Sequence, residues 1–272
     1  MGKSDIINVV SIAGVDPSGG AGLLADIKSF SAAGVYGTGV VTALTAQNTC
    51  AVTGVFPIPG AFIRQQIDTL FSDVRIDAVK IGMLADSQVI AAVAERLSYW
   101  KPRWSVLDPV MVAKSGDALL ASEAVQALKT QLLPIASVLT PNLPEAGVLL
   151  GRPVTQEDQM IQAAKDLLEL SGGTCAVLVK GGHLTGDRCR DVLFDGKDVT
   201  QIVSARCNTK NTHGTGCAMS SYLAAMLART GNLKEAFALT QAWMARAIGS
   251  SDALDCGKGH GPIHHFVDLW KH

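Results

Sequence analysis

The chain alternates, from Ile6 to about Lys180, between short apolar runs nearly free of charge and longer stretches with helical spacing. Runs such as Ile6–Ala13, Gly39–Ala46 and Cys175–Val179 read as strands covered on both faces, because a strand with one wet face would alternate polar and apolar residues. Helical segments over 23–33, 61–71, 87–99, 122–133 and 156–170 fall between them, the last with Met160, Ile161, Ala164, Leu167 and Leu168 on one stripe. A strand followed by a helix and another strand gives a parallel pair with a right-handed crossover. The pattern therefore predicts an α/β fold: a mostly parallel central sheet with helices on both faces, in one domain over 1–272. Two stretches break the rhythm. Val52–Ile58 is an extra strand ended by Pro57 and Pro59, and Asp191–Phe194 with Val199–Ala205 reads as a hairpin around Asp195-Gly196.

The most distinctive local stretch is Asn208-Thr209-Lys210-Asn211-Thr212-His213-Gly214-Thr215-Gly216-Cys217, a glycine-rich turn that opens an apolar helix stopping at Gly231. The first N–H groups of a helix have no partner inside it and lie at the positive end of its dipole, so such a turn attracts an anion. Gly214 and Gly216 let the backbone approach a ligand closely. Cys217 then falls in the first helical turn, where the dipole is expected to lower its pKa and favour the thiolate. A tight turn with no ligand is the competing reading of Gly-Thr-Gly alone.

Several expected strands end in polar residues, at the edge where open α/β sheets hold ligands. The first leads into Gly14-Val15-Asp16-Pro17-Ser18-Gly19-Gly20-Ala21-Gly22, and the next ends at Gln47. Gly20-x-Gly22-x-x-Ala25 loosely matches a dinucleotide fingerprint, but Gln47-Asn48 stands where an acidic residue would hold the ribose. Gln47 itself reads equally as a ligand of the crevice or as a solvated loop residue. Asp108 closes a buried strand and needs a partner or a task. Glu145 opens a helix, where an acidic residue is favoured for dipole reasons alone. Lys80, inside a strand, reads as paired or at a sheet edge. Ser115-Gly116-Asp117 reads as a turn.

Composition narrows the classes. A net charge of −1 argues against a nucleic-acid or membrane-surface role, and no apolar run approaches the ~20 residues that span a bilayer. Six cysteines form no Cys-x-x-Cys pair or zinc spacing, so most are expected to be buried apolar side chains in a reducing, cytoplasmic setting. An anion cradle, strand-end carboxylates and a lysine are the parts that phosphoryl transfer requires. The absence of Gly-x-x-x-x-Gly-Lys-Ser/Thr excludes a P-loop kinase.

Eight stretches in order, AGVDPSGGAG (13–22), TALTAQNT (42–49), VRIDAVKIGML (74–84), LDPVMVAKSGD (107–117), LTPNLPEA (139–146), VLVKGGH (177–183), NTKNTHGTGC (208–217) and GHGPIHHF (259–266), resemble the hydroxymethylpyrimidine/phosphomethylpyrimidine kinases of thiamine biosynthesis, in the ribokinase-like superfamily. The resemblance implies a three-layer α/β/α sandwich, ATP and Mg²⁺, two successive phosphorylations and a homodimer. Carried over residue by residue, it implies that Cys217 replaces an aspartate base, aided by the amides of Gly214 to Cys217, and that Gln47 binds the aminopyrimidine. Gly14, Asp16, Ala21, Met83 and Val110 would line the pocket. Asp108 and Glu145 would serve Mg²⁺ through water, Asn142, Lys180, Thr209 and Thr215 the ATP phosphates, and His213 the second phosphorylation. Thr45 departs from the bulkier apolar residue frequent in the family, which bears on ring selectivity. Pyridoxal or pyridoxine phosphorylation is the second reading that the motifs leave open.

Overall fold

The computed structural model describes residues 6–111 and 122–270; the expected turn at 115–117 lies outside them. In chain order the elements are β1 (Asn8–Val15), α1 (Gly22–Ala32), β2 (Tyr36–Gln47), β3 (Val52–Pro57), α2 (Gly60–Asp73), β4 (Ala78–Ile81), α3 (Ser87–Trp100), β5 (Ser105–Leu107) and α4 (Ser122–Ala127). They continue with β6 (Val138–Leu139), α5 (Leu143–Leu150), α6 (Met160–Leu170), β7 (Ala176–Val179), β8 (Arg188–Phe194), β9 (Val199–Ala205), α7 (Thr215–Thr230) and α8 (Leu233–Gly249). The strands form one nine-stranded sheet in the order β3-β2-β1-β4-β5-β6-β7-β8-β9. The six from β2 to β7 run parallel; at one edge β3 pairs antiparallel with β2, and at the other β8 pairs antiparallel with β7 and β9 with β8.

Two apolar clusters sandwich the sheet. On one face Ile12, Ile81 and Leu107 pack with Ile63 and Ile67 of α2, Val93 and Leu97 of α3 and Leu167 of α6. On the other, Val9, Ala78, Val106 and Leu178 pack with Phe30 of α1, Leu223 and Leu227 of α7 and Phe237 and Trp243 of α8. Adjacent strand residues thus supply opposite cores, which is why the runs carry so little charge. The three-layer α/β/α expectation holds.

Strand β2 begins at Tyr36, three residues earlier than its sequence suggests. Gly37 and Gly39 act there as sites of close packing: a Cβ on Gly39 would lie 2.9 Å from Leu23, and one on Gly37 3.0 Å from Phe30. The expected helix over 122–133 also differs, since α4 passes into a wider π turn at Leu128–Leu132 before Pro134.

Because β1 has β2 on one side and β4 on the other, the strand order reverses there, and a crevice opens beyond the carboxyl ends. Those ends carry the loop 14–22, Met83, Asp108, Asn142 and Lys180.

Candidate active site

Lys180 follows β7 directly, and its Nζ lies 2.8 Å from Asp108 Oδ1 and 4.0 Å from Glu145 Oε2. Asp108 follows β5; Thr140 donates to its Oδ1 at 3.1 Å and Ser220 of α7 to its Oδ2 at 3.3 Å. Glu145 forms a capping box with Asn142: Glu145 N–H donates to Asn142 Oδ1 at 2.9 Å, and Asn142 N–H to Glu145 Oε2 at 2.8 Å. Glu145 therefore caps α5, as its place at a helix start suggested, and also faces Lys180.

The two carboxylates titrate in opposite directions for a geometric reason. Burial would raise Asp108, but its direct contact with Lys180, with Lys80 behind it, holds the carboxyl below the ordinary range. Glu145, farther from Lys180, is pushed up to about 7 by burial and by the neighbouring Asp108 charge. Lys180 stays firmly protonated, because Asp108 and Glu145 outweigh the cost of its burial.

The glycine turn comes against this cluster. Gly214 has φ 74° and caps α7, so the N–H groups of Gly216 and Cys217 belong to the helix's unpaired first turn. A Cβ on Gly214 would meet the Gly20 carbonyl, and one on Gly216 would lie 3.3 Å from Lys180 Nζ and 3.7 Å from Asp108 Oδ2. At Gly214 only glycine allows this approach of the helix start to the first loop. Thr215 is the first helical residue, its N–H 3.4 Å from the Thr212 carbonyl.

The expected lowering of the Cys217 pKa is overturned. Burial pushes the thiol up to about 11, aided by the charges of Asp26 and Asp108; the Lys80 ammonium and the Gly22 N–H act in the thiolate's favour without reversing it. The helix dipole is worth about 1 kcal/mol at this position, less than removing a thiolate from water costs. The expectation of mostly buried cysteines also fails: Cys175 is buried, whereas Cys50 and Cys256 are exposed and the other three are partly so.

Asp16 organises its own loop. Its Oδ2 accepts from Ala21 N–H (3.0 Å) and Ser18 Oγ (2.9 Å) and lies 2.7 Å from His213 Nε2, while its Oδ1 accepts from Ser18 N–H at 2.8 Å. Burial alone would raise this carboxyl; the bonds from His213 and Ser18 hold it below its ordinary value. Asp16 and His213 thus tie the first loop to the anion turn. A Cβ on Gly14 would sit 3.3 Å from Met83 Sδ, so these two residues adjoin. At the end of β2, Thr45 Oγ1 lies 3.0 Å from the Val15 carbonyl and 3.1 Å from Gln47 Oε1, which joins Gln47 to the same loop. Val110 is half-buried, its N–H 2.8 Å from the Asp108 carbonyl.

Thr209 stands apart. Its hydroxyl donates to Asp252 at 2.5 Å and lies 3.2 Å from Ser251 Oγ, in a cleft of about 530 Å³ lined by residues 208–211 and 252–257. No contact joins it to the Lys180 cluster among the described residues. Beside it, a C-terminal strap spans two loops: Thr49 accepts from Gly259 N–H and His260 N–H, and Asn211 Oδ1 accepts from Gly261 N–H at 3.1 Å.

Thr140, Ser220 and Asp26, the buried partner of Lys80, escape the sequence reading. Ser220 and Ser221 follow Cys217 by one helical turn, a spacing that places them beside it.

A set of two oxygen-donor carboxylates next to an anion turn fits a hydrated Mg²⁺, which takes few protein ligands and keeps several waters. Among the described residues no group of three or more His, Cys, Asp or Glu could hold an ion alone.

Comparison with known proteins agrees with this geometry. The profile of the phosphomethylpyrimidine kinase family matches residues 16–264. A hydroxymethylpyrimidine/phosphomethylpyrimidine kinase of Salmonella typhimurium is 49% identical over 265 residues, 97% of this chain and 99% of that protein. Among solved structures, phosphomethylpyrimidine kinase from Clostridium difficile superposes with TM-score 0.79 at 38% identity, over 89% of this chain and 99% of the other. An ADP complex of Bacillus subtilis pyridoxal kinase superposes with TM-score 0.87 at 35% identity, over 97% and 98%. With a family profile that covers most of its length and a relative of nearly half-identical sequence, the chain belongs to the phosphomethylpyrimidine kinase family.

Proposed function

We propose that this kinase phosphorylates the hydroxymethyl group of 4-amino-5-hydroxymethyl-2-methylpyrimidine with ATP and Mg²⁺, and then the resulting monophosphate to the diphosphate, in thiamine biosynthesis. The observation that carries the chemistry is the convergence of Lys180, Asp108 and the glycine turn, so close that a Cβ added to Gly216 would lie 3.3 Å from Lys180 Nζ. The match to the pyrimidine-kinase relatives supports the substrate.

In this reading the amides of Gly214, Thr215, Gly216 and Cys217 and the Lys180 ammonium stabilise charge on the transferred phosphoryl group. Asn142, Thr215, Lys180 and Thr209 hold the nucleotide phosphates. Asp108 and Glu145 would hold Mg²⁺, which would neutralise phosphate charge. Gln47 orients the aminopyrimidine, while Gly14, Asp16, Ala21, Thr45, Met83 and Val110 wall the ring. His213, buried against Asp16, serves the second phosphorylation. The acceptor oxygen attacks the γ-phosphorus, the bond to the ADP oxygen breaks, and the hydroxyl proton passes to Cys217. With a pKa of about 11, Cys217 acts through the small fraction present as thiolate.

A single domain, a cytoplasmic setting and a homodimer complete the proposal. No helix among the described residues is long and apolar enough to cross a membrane. The dimer is supported by exposed Leu44, Val55 and Phe56 on β2–β3, with exposed Phe62 following on α2.

The test mixes the protein with ATP, Mg²⁺ and either the pyrimidine or pyridoxal. Monophosphate followed by diphosphate from the pyrimidine, with pyridoxal much slower, is expected. Turnover of pyridoxal alone would move the function to vitamin B6 salvage.

A further inference from the structure

Beneath the anion turn lies a polar cluster that phosphate binding does not use. Lys80 of β4, wholly buried, donates to both carboxylate oxygens of Asp26 in α1, at 2.9 and 2.8 Å. Ser11, its register neighbour on β1, donates to Asp26 Oδ2 at 2.5 Å, and Ser221 of α7 donates to Asp26 Oδ1 at 2.6 Å. All four side chains are inaccessible to water. The cluster thus joins two strands to the second turns of α1 and α7, and Ser221 lies one helical turn after Cys217 on the same side of α7.

Stability is a poor reason for such a pair. Desolvating two charges costs about what their attraction returns, and apolar residues of similar volume do as well or better. The surroundings also make room for it, since a Cβ on Gly82 would lie 2.7 Å from Lys80 Nζ.

We propose that Asp26 and Lys80 are positioning residues for phosphoryl transfer, a brace that holds α7 one turn beyond Cys217 and sets a cation behind the place where negative charge gathers. The inference rests on the kinase reading of the site. The balance of charges at Cys217 supports it: of the groups that reach the thiol, Lys80 exerts the strongest charge effect, ahead of the opposing Asp26 and Asp108. The pair is neutral as a whole, yet its positive end is the one the turn feels more strongly.

The test removes both charges together, in the double variant Asp26→Asn with Lys80→Met, so that neither is stranded. Melting temperature, kcat and both KM values are measured beside the wild type. The expected result is a melting temperature close to wild type, unchanged KM for ATP and pyrimidine, and kcat lower by about tenfold to a hundredfold, the usual loss when outer support of a site is removed. Ser221→Ala, which cuts the tie to α7 and leaves both charges, is expected to lower kcat several-fold at constant KM, and it decides the matter if the double variant does not fold. Wild-type kcat in a folded double variant, or in Ser221→Ala where the double variant fails, overturns the brace. Absence of turnover in the wild type itself would overturn the kinase reading instead, so the two failures are distinguishable.

Discussion

Varying pH across the range in which Cys217 begins to ionise tests whether its thiol carries a proton in the reaction. With a pKa near 11, about 3 × 10⁻⁴ of the thiol is ionised at pH 7.5, and that fraction grows tenfold per pH unit. If the thiolate is the base, the single-turnover rate at saturating ATP, Mg²⁺ and pyrimidine rises about tenfold per unit from pH 7.5 to 9.5. This window lies above the ionisation of Glu145 at about 7, so that group does not distort the slope. Cys217→Ala should abolish the slope and lose about 10²–10⁴-fold at its top, the size of a general-base contribution. That is roughly 3–5 kcal/mol of barrier. Cys217→Asp, with a carboxylate already ionised over this range, should give a flat profile and recover part of the rate. Single turnover excludes product release from the measurement. A flat wild-type profile, together with a loss below about tenfold in a folded Cys217→Ala, would refute the argument and leave Cys217 as a pocket wall. The amides of Gly216 and Cys217 would then do the work in a loose transition state that asks little of a base.

Two further outcomes are expected. Glu145 has a folded pKa raised from 4.5 to about 7, so its contribution favours the fold below pH 4.5 and is lost as pH rises through 7, by at most about 3 kcal/mol. Urea titrations of the metal-free protein should show this loss, and Glu145→Gln should flatten it; a wild-type profile unchanged between pH 5 and 8 contradicts the assignment. Gln47→Leu should raise KM for the pyrimidine at least tenfold in steady-state assays while KM for ATP stays constant, and a parallel shift in both would show that Gln47 supports the whole crevice.

Much of the fold was legible because β1, β4 and β7 are covered on both faces, and uncharged runs between helices can do little else. The strand-end residues Asp108, Asn142 and Lys180 were legible for the same reason, since the carboxyl edge of a parallel sheet is where its loops converge. The start of β2 was not, because a glycine at 37 weakens a strand pattern in one dimension, whereas Gly37 and Gly39 serve in three as space for α1. The Cys217 pKa failed differently: position in a helix can be read from sequence, whereas burial depends on which segments close over the thiol. Lys80 was read as paired or at an edge. It is paired on a central strand, with a partner 54 residues away that no local pattern announces.

The strap at Gly259 has a consequence for the order in which the protein folds. Its contact with Thr49 closes a loop of 210 residues, at a chain-entropy cost of roughly 5 kcal/mol if made in an otherwise open chain. Two hydrogen bonds return about 2 kcal/mol, so the strap cannot form early by itself. Pairing across the sheet from β1 to β7, with α7 packed on it, shortens the effective loop first, and the strap then closes over a sheet already in place. The segment that joins the Thr49 loop to Asn211 is thus a late arrival, and the two halves of the crevice acquire their final spacing only when the rest of the molecule has folded.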